Sequence, residues 1–221
     1  MLARIKAWAK THTSKRRYSP VGIGFHWGMA LIIAVMLWLG WVMGRIDPGS
    51  AKLGAFELHM TVGLVTLLLA ALRLVWRLFI PGPINDADNL GLQTTLSRIT
   101  HGIIYVCLVG LPLSGWLAWS AFAGEGRLHV GLFDISPFPF EALSFKQKSQ
   151  VLYWADATHH LLIWALVLII PAHAGAALKH HFWDRHDVLV GMLPVLAGDA
   201  PPAAPPRKRI AAQSRRKSKP G

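Results

Sequence analysis

Four apolar stretches separated by short polar ones organise the chain, at about 20–44, 54–80, 92–122 and 148–183. Each is long enough to cross a bilayer as a helix, for which about 20 predominantly apolar residues suffice. The fourth contains no Asp, Glu, Lys or Arg between Ala157 and Leu178. Pro20 suits the first turn of a helix, and Pro81-Gly82-Pro83 stops the second one. Pro112 is expected to kink the third. Residues 123–146, with Gly124, Gly126, Gly131, Pro137 and Pro139, read as a longer loop. The pattern predicts an all-α fold: an integral membrane four-helix bundle over residues 20–194, with no internal repeat and no soluble domain. A basic segment, 1–19, precedes it. A Pro/Ala-rich basic tail, 195–221, follows, lacks any apolar period and is expected to be disordered. The basic start followed by an apolar run has the outline of a signal peptide. The full-span length of that run, and His26 at its entrance, point instead to a retained first helix.

Composition agrees with a membrane protein. Of 221 residues 53% are hydrophobic and 15% charged, against about 25% charged in soluble domains. The net charge of +12 sits at the ends and in certain loops rather than striping a folded face, which argues against nucleic acid as a partner and leaves the lipid bilayer. Four spans place 1–19, 73–98 and 179–221 on one side, and these hold 18 of the 23 Lys and Arg. By the positive-inside bias both termini are cytoplasmic. Cys107 is the lone cysteine, so no intrachain disulfide forms, and no CxxCH motif offers covalent haem attachment.

Histidines inside apolar spans change the picture, because polar rings in a bilayer are costly and mark function. His159 and His173 are fourteen residues apart, which is ~21 Å of rise and within ~40° of four full turns. Both rings therefore leave the same face of one helix. His26 lies six residues into the first stretch, and His173 six residues before Lys179, on the same side of the membrane. His59 lies five residues into the second stretch, on the other side, level with His159. Two imidazoles facing each other across a porphyrin make a six-coordinate haem iron that carries electrons. A porphyrin-free metal site would need ligands clustered at one level, often with a thiolate or acid, and none is near. His101 also lies at the cytoplasmic level, so depth alone leaves His26 and His101 both open as the partner of His173. His160 points ~140° away from the face of His173, and His180 and His181 lie past Lys179 in the interface.

The stretches YSPVGIGFHW, ELHMTVGLVTLLLAALRLVWRL, SRITHGIIY and AHAGAALKHHFWDRHDVLVGMLP resemble the bacterial cytochrome b561 family in order and spacing, over roughly residues 18–194. The resemblance implies a four-helix bundle in the bacterial inner membrane with two b haems. Carried over, it makes His26 and His173 the ligands of the cytoplasmic-side haem. His59 and His159 become the ligands of the periplasmic-side haem. It also implies an oxidoreductase: a member of the family oxidises superoxide at the periplasmic face and passes electrons to ubiquinone. Related b-type subunits serve hydrogenases and formate dehydrogenases, so an electron-transfer subunit relaying electrons between quinone and a separate redox protein is the other expectation.

On the outer side five Lys and Arg stand against six Asp and Glu, so no net field attracts a superoxide anion. Arg73 and Arg77 lie on the cytoplasmic half of the second stretch. Arg73, the deeper, is a candidate for a haem propionate or quinone, and Arg77 reads as an interfacial side chain. His101 needs a hydrogen-bond partner if buried, and an imidazole suits proton delivery near neutral pH. It is the candidate for a quinone pocket near the inner haem.

Overall fold

The computed structural model describes residues 18–80, 91–123, 128–130, 133–184 and 189–194, with 4, 5 and 7. The expected basic N-terminal segment and tail fall almost wholly outside them. Four long helices carry the fold: α1 (Pro20–Met43), α2 (Ser50–Phe79), α3 (Gly91–Ala123) and α4 (Phe145–Phe182). All four are long and apolar enough to cross a membrane.

The local chemistry sets where they start. The Ser19 hydroxyl accepts from the Gly22 amide at 3.2 Å, and Pro20 fills the first turn of α1. α4 begins three residues before the expected 148, because Ser144 and Gln147 form a capping box. The Ser144 hydroxyl accepts from the Gln147 amide at 3.4 Å, and Gln147 Oε1 accepts from the Ser144 amide at 2.8 Å. α2 likewise starts at Ser50 rather than 54, since Ala51, Lys52 and Leu53 are good helix formers. Pro112 and Pro171 lie inside α3 and α4.

The expected loop at 123–146 is not wholly irregular. It holds an antiparallel hairpin, β1 (Leu128–Val130) and β2 (Phe133–Ile135), with Leu128 opposite Ile135. The chain then packs on the end of α3. Trp116 Nε1 donates to the Ser136 carbonyl at 3.3 Å, and the Phe138 amide donates to Ser120 Oγ at 3.0 Å. Phe138 lies 4.3 Å from the Trp116 ring.

Large apolar side chains face outward on every helix, among them Leu31, Leu68, Val106 and Leu168. That surface suits lipid, and small side chains let helices approach. At Gly110 a methyl group would stand only 2.7 Å from Leu162 Cδ1, so α3 and α4 pack closely there. α3 and α4 share the most extensive contact, followed by α1 with α2 and α2 with α3. The pairs α1/α4 and α2/α4 are not among the extensively packed ones.

After α4 the chain folds back as a short strap with a 3-10 turn, Val190–Met192. The Tyr18 amide donates to the Gly191 carbonyl at 3.2 Å, and Trp27 Nε1 to the Met192 carbonyl at 2.7 Å. The start of α1 and the strap are thus tied together at one end of the bundle. Asp184, just past α4, accepts from Lys179 at 3.1 Å and meets His180 Nδ1 at 2.6 Å. Those two hydrogen bonds hold its carboxyl below the usual carboxylate range.

Candidate functional site

α4 presents His173 toward the strapped end and His159 toward the other, and each faces a histidine from another helix. His26 of α1 and His173 have ring centres 6.3 Å apart, inclined at 50°. His59 of α2 and His159 have ring centres 6.3 Å apart, inclined at 63°. Leu166, 2% exposed, lies on α4 midway between the two levels. His101 of α3 joins the inner level, its ring 5.2 Å from that of His173. His160 faces elsewhere, bonding Asp156 on its own helix.

Ring spacing differs between the pairs. Imidazole nitrogens bind a metal ion at ~2 Å and the ring centre lies ~1 Å further, so two rings sharing one ion have centres ~6 Å apart. Both facing pairs meet that requirement. The rings of His101 and His173 stand closer, at 5.2 Å. Among the described residues no group of three or more His, Cys, Asp or Glu converges to hold a metal ion otherwise. The facing pairs span helices that are not extensively packed together. His59 Nδ1 is buried without a hydrogen-bond partner among the described residues, as befits a site whose contacts are incomplete without its ligand.

Hydrogen bonds set the tautomer of three of these rings, His159, His101 and His26. His159 Nδ1 lies 3.0 Å from the Leu111 carbonyl oxygen and 3.0 Å from Ser114 Oγ. A carbonyl only accepts, so Nδ1 carries the hydrogen and Nε2 keeps its lone pair free for a metal. Gly115 leaves space for this: a methyl there would stand 3.4 Å from His159 Cε1. His101 Nδ1 is 2.7 Å from the Ser97 carbonyl, which by the same reasoning frees its Nε2. His26 is set the other way. Arg73 Nη2 lies 3.4 Å from His26 Nδ1, and a guanidinium only donates, so Nδ1 accepts and Nε2 carries the hydrogen. At the outer level His159 thus offers its Nε2 to a haem b as it stands; at the inner level His26 would offer its Nε2 once Arg73 turns away.

Beside the inner pair lies a cavity of about 100 Å³, lined by Tyr18, Arg73, Trp76, Arg77, His101 and Met192 among others. The Arg73 guanidinium is 5.8 Å from the Tyr105 ring and that of Arg77 is 5.3 Å from the Tyr18 ring. Arg73 and His101, both expected near the inner level, thus share one cavity, and Arg77 proves to belong to it as well. Sequence reasoning missed Ser114 and the Leu111 carbonyl. A serine two residues after a mid-helix proline was the available signal.

Comparison with known proteins gives the chain a family. The family model for prokaryotic cytochrome b561 matches residues 17–195. Cytochrome b561 homolog 2 of Escherichia coli (strain K12) is 29% identical over 178 residues, covering 80% of this chain and 91% of the relative. Cytochrome b561 homolog 1 of the same organism is 28% identical over 181 residues, 80% of this chain and 97% of that one. A probable superoxide oxidase, CybB, of Yersinia pestis is 27% identical over 183 residues, 83% of this chain and 99% of the relative. With four membrane-crossing helices and a family match over nearly its whole length, the chain belongs to the prokaryotic cytochrome b561 family of haem-binding membrane electron-transfer proteins.

Proposed function

We propose that the protein carries electrons across the bacterial inner membrane through two b haems, taking them from superoxide outside and delivering them to ubiquinone inside. The two facing imidazole pairs, each 6.3 Å apart, carry this reading. His59 and His159 would hold the outer haem, and His26 and His173 the inner one. When bound there, such a group would supply one-electron transfer. Both termini face the cytoplasm, in line with the distribution of Lys and Arg.

The side chains divide the work. Ser114 and the Leu111 carbonyl orient His159. The packed layer of Met29, Ala70 and Leu108 lies just inside the inner level and keeps water out. His101, bonded to Ser97 through Nδ1, turns its other nitrogen to a quinone carbonyl at the cavity wall. Overall, two superoxide anions become two O₂, and one quinone takes two electrons and two cytoplasmic protons to become a quinol. Superoxide as donor is supported by the name of the Yersinia relative. The outer charge balance favours a second reading, in which a separate redox protein is the electron donor.

One experiment separates them. Purified protein is mixed anaerobically with superoxide while the haem α-band is followed, with and without ubiquinone. Fast reduction and quinone-dependent reoxidation are expected. No reduction by superoxide, with reoxidation by quinone intact, leaves the protein-donor reading.

A further inference from the structure

Residues 135–140 run from the hairpin toward the start of α4, at the end of the bundle opposite the strap. Two side chains one turn apart on α3 hold this run. Trp116 Nε1 donates to the Ser136 carbonyl, and the Phe138 amide donates to Ser120 Oγ. Ser120 is 2% exposed, and its hydroxyl works in both directions, since it also donates to the Trp116 carbonyl at 2.7 Å. A backbone amide left unpaired against apolar side chains is costly, so these bonds let the run lie on the bundle. The run is two-sided. Ile135, Leu64 and Trp116 pack against the buried Met60 and Trp119, whereas Ser136 and Pro139 are exposed. β1 also lies against α2. The apolar layer beneath the run adjoins the outer histidines. Met60 follows His59 in α2, and Trp116 follows Gly115, where an added methyl would stand 3.4 Å from His159 Cε1.

We propose that Trp116 and Ser120 are positioning residues that hold 135–140 as a dry cover over the outer pair, so that an electron enters across the cover and no atom of the donor reaches the imidazoles. In its redox part the inference rests on the haem reading above. The bonds from these two side chains go to the cover and to α3, so they act on the site through the cover. Oxidised haem iron carries one more positive charge than reduced iron, and an apolar shell that excludes water disfavours the more charged state. A closed cover therefore holds the potential of the outer haem up. It also fixes what a donor does. A superoxide anion or a redox protein meets the exposed side of the run, at Ser136 and Pro139, and gives up one electron there. No bond forms and no proton moves in that step; superoxide leaves as O₂.

The test uses the full-length protein in nanodiscs of phosphatidylcholine, with Cys107→Ala to remove the native thiol. Met60→Cys places a thiol beneath the cover, and Leu64→Cys repeats the reading should Met60→Cys fold poorly. Glu57→Cys places one nearby at an exposed position. Labelling by a charged, water-soluble maleimide should be slow beneath the cover and severalfold faster once Trp116→Phe or Ser120→Ala is added, with the Glu57→Cys rate unchanged. In haem-loaded protein without the added thiols, Trp116→Phe and Ser120→Ala should lower the midpoint potential of the haem that His159→Ala removes and leave the other unchanged. A wild-type protein without that haem, by pyridine haemochrome, counts against the haem reading, and the labelling still decides whether the cover exists. Labelling beneath the cover that neither substitution changes, or that rises equally at Glu57→Cys, overturns the proposal. Faster labelling beneath the cover with an unchanged potential overturns its role at the outer haem.

Discussion

The two ends of α4 solve the same problem with opposite electrostatics. At the outer end His159 is held by neutral acceptors, the Leu111 carbonyl and Ser114 Oγ, both from α3. At the inner end His26 is held by a cation, Arg73, and two more imidazoles crowd around. The outer ring already offers the nitrogen a metal needs; the inner ring offers it only after Arg73 moves. An equal 6.3 Å separation thus hides a difference in readiness. Ring spacing reports where a ligand fits, and the hydrogen bond on the far nitrogen reports what must happen first.

The strongest way to break this comparison is to remove the rings. His59→Ala and His159→Ala should each lower the haemochrome reading from about two haems per chain to about one, and His26→Ala and His173→Ala should each remove the other haem. His160→Ala should keep both. If His101→Ala abolishes the inner haem while His26→Ala spares it, the assignment to α1 is wrong.

Function at the inner end is the next test. His101→Gln should keep both haems and their reduction but slow quinone-dependent reoxidation by roughly tenfold or more, as expected when a positioned donor is lost. Unaltered reoxidation rejects the role.

Ser114→Ala sharpens the outer end. His159 keeps the Leu111 carbonyl, so the loss should be at the low end for such orienting partners, about tenfold faster release of the outer haem to apomyoglobin. The inner haem should be unaffected, and equal release from both levels would show a general loosening instead.

The smallest effect is expected at the strap. Trp27→Phe removes the bond to the Met192 carbonyl, for which about 1 kcal/mol is a typical net value. Faster hydrogen exchange at the Tyr18 amide, whose partner Gly191 is in the strap, is the readout. Unchanged exchange means the Tyr18–Gly191 bond and packing hold the strap without Trp27.

Much of this was legible in the sequence because a membrane allows few solutions. A charge-free run of that length has to be a helix, and helical periodicity turns a fourteen-residue gap into one face. Depth along four spans paired the histidines in two levels, and the structure brings those residues together. Depth could not rank His26 against His101, since both lie at one level. In the structure their rings stand at different distances from that of His173, 6.3 Å for His26 and 5.2 Å for His101. Ser114 was illegible because its role depends on where α3 crosses α4, a tertiary fact. Arg77 was assigned to the interface because residue depth says nothing about which cavity a flexible side chain shares. The capping box at Ser144 was written in the sequence, S-x-x-Q, and a helix start read from apolarity alone passes over it.

Carrying His159 and His173 on one unbroken helix makes that helix a ruler, with a consequence for how the gene can vary. Between these positions substitutions alter only side chains, but a single-codon deletion turns one ring by ~100° relative to the other and shortens the gap by ~1.5 Å. Length variation between relatives should therefore collect in the connections, such as 123–146, and be absent from 159–173. In a deletion scan the tolerated in-frame losses would mark where the chain measures nothing.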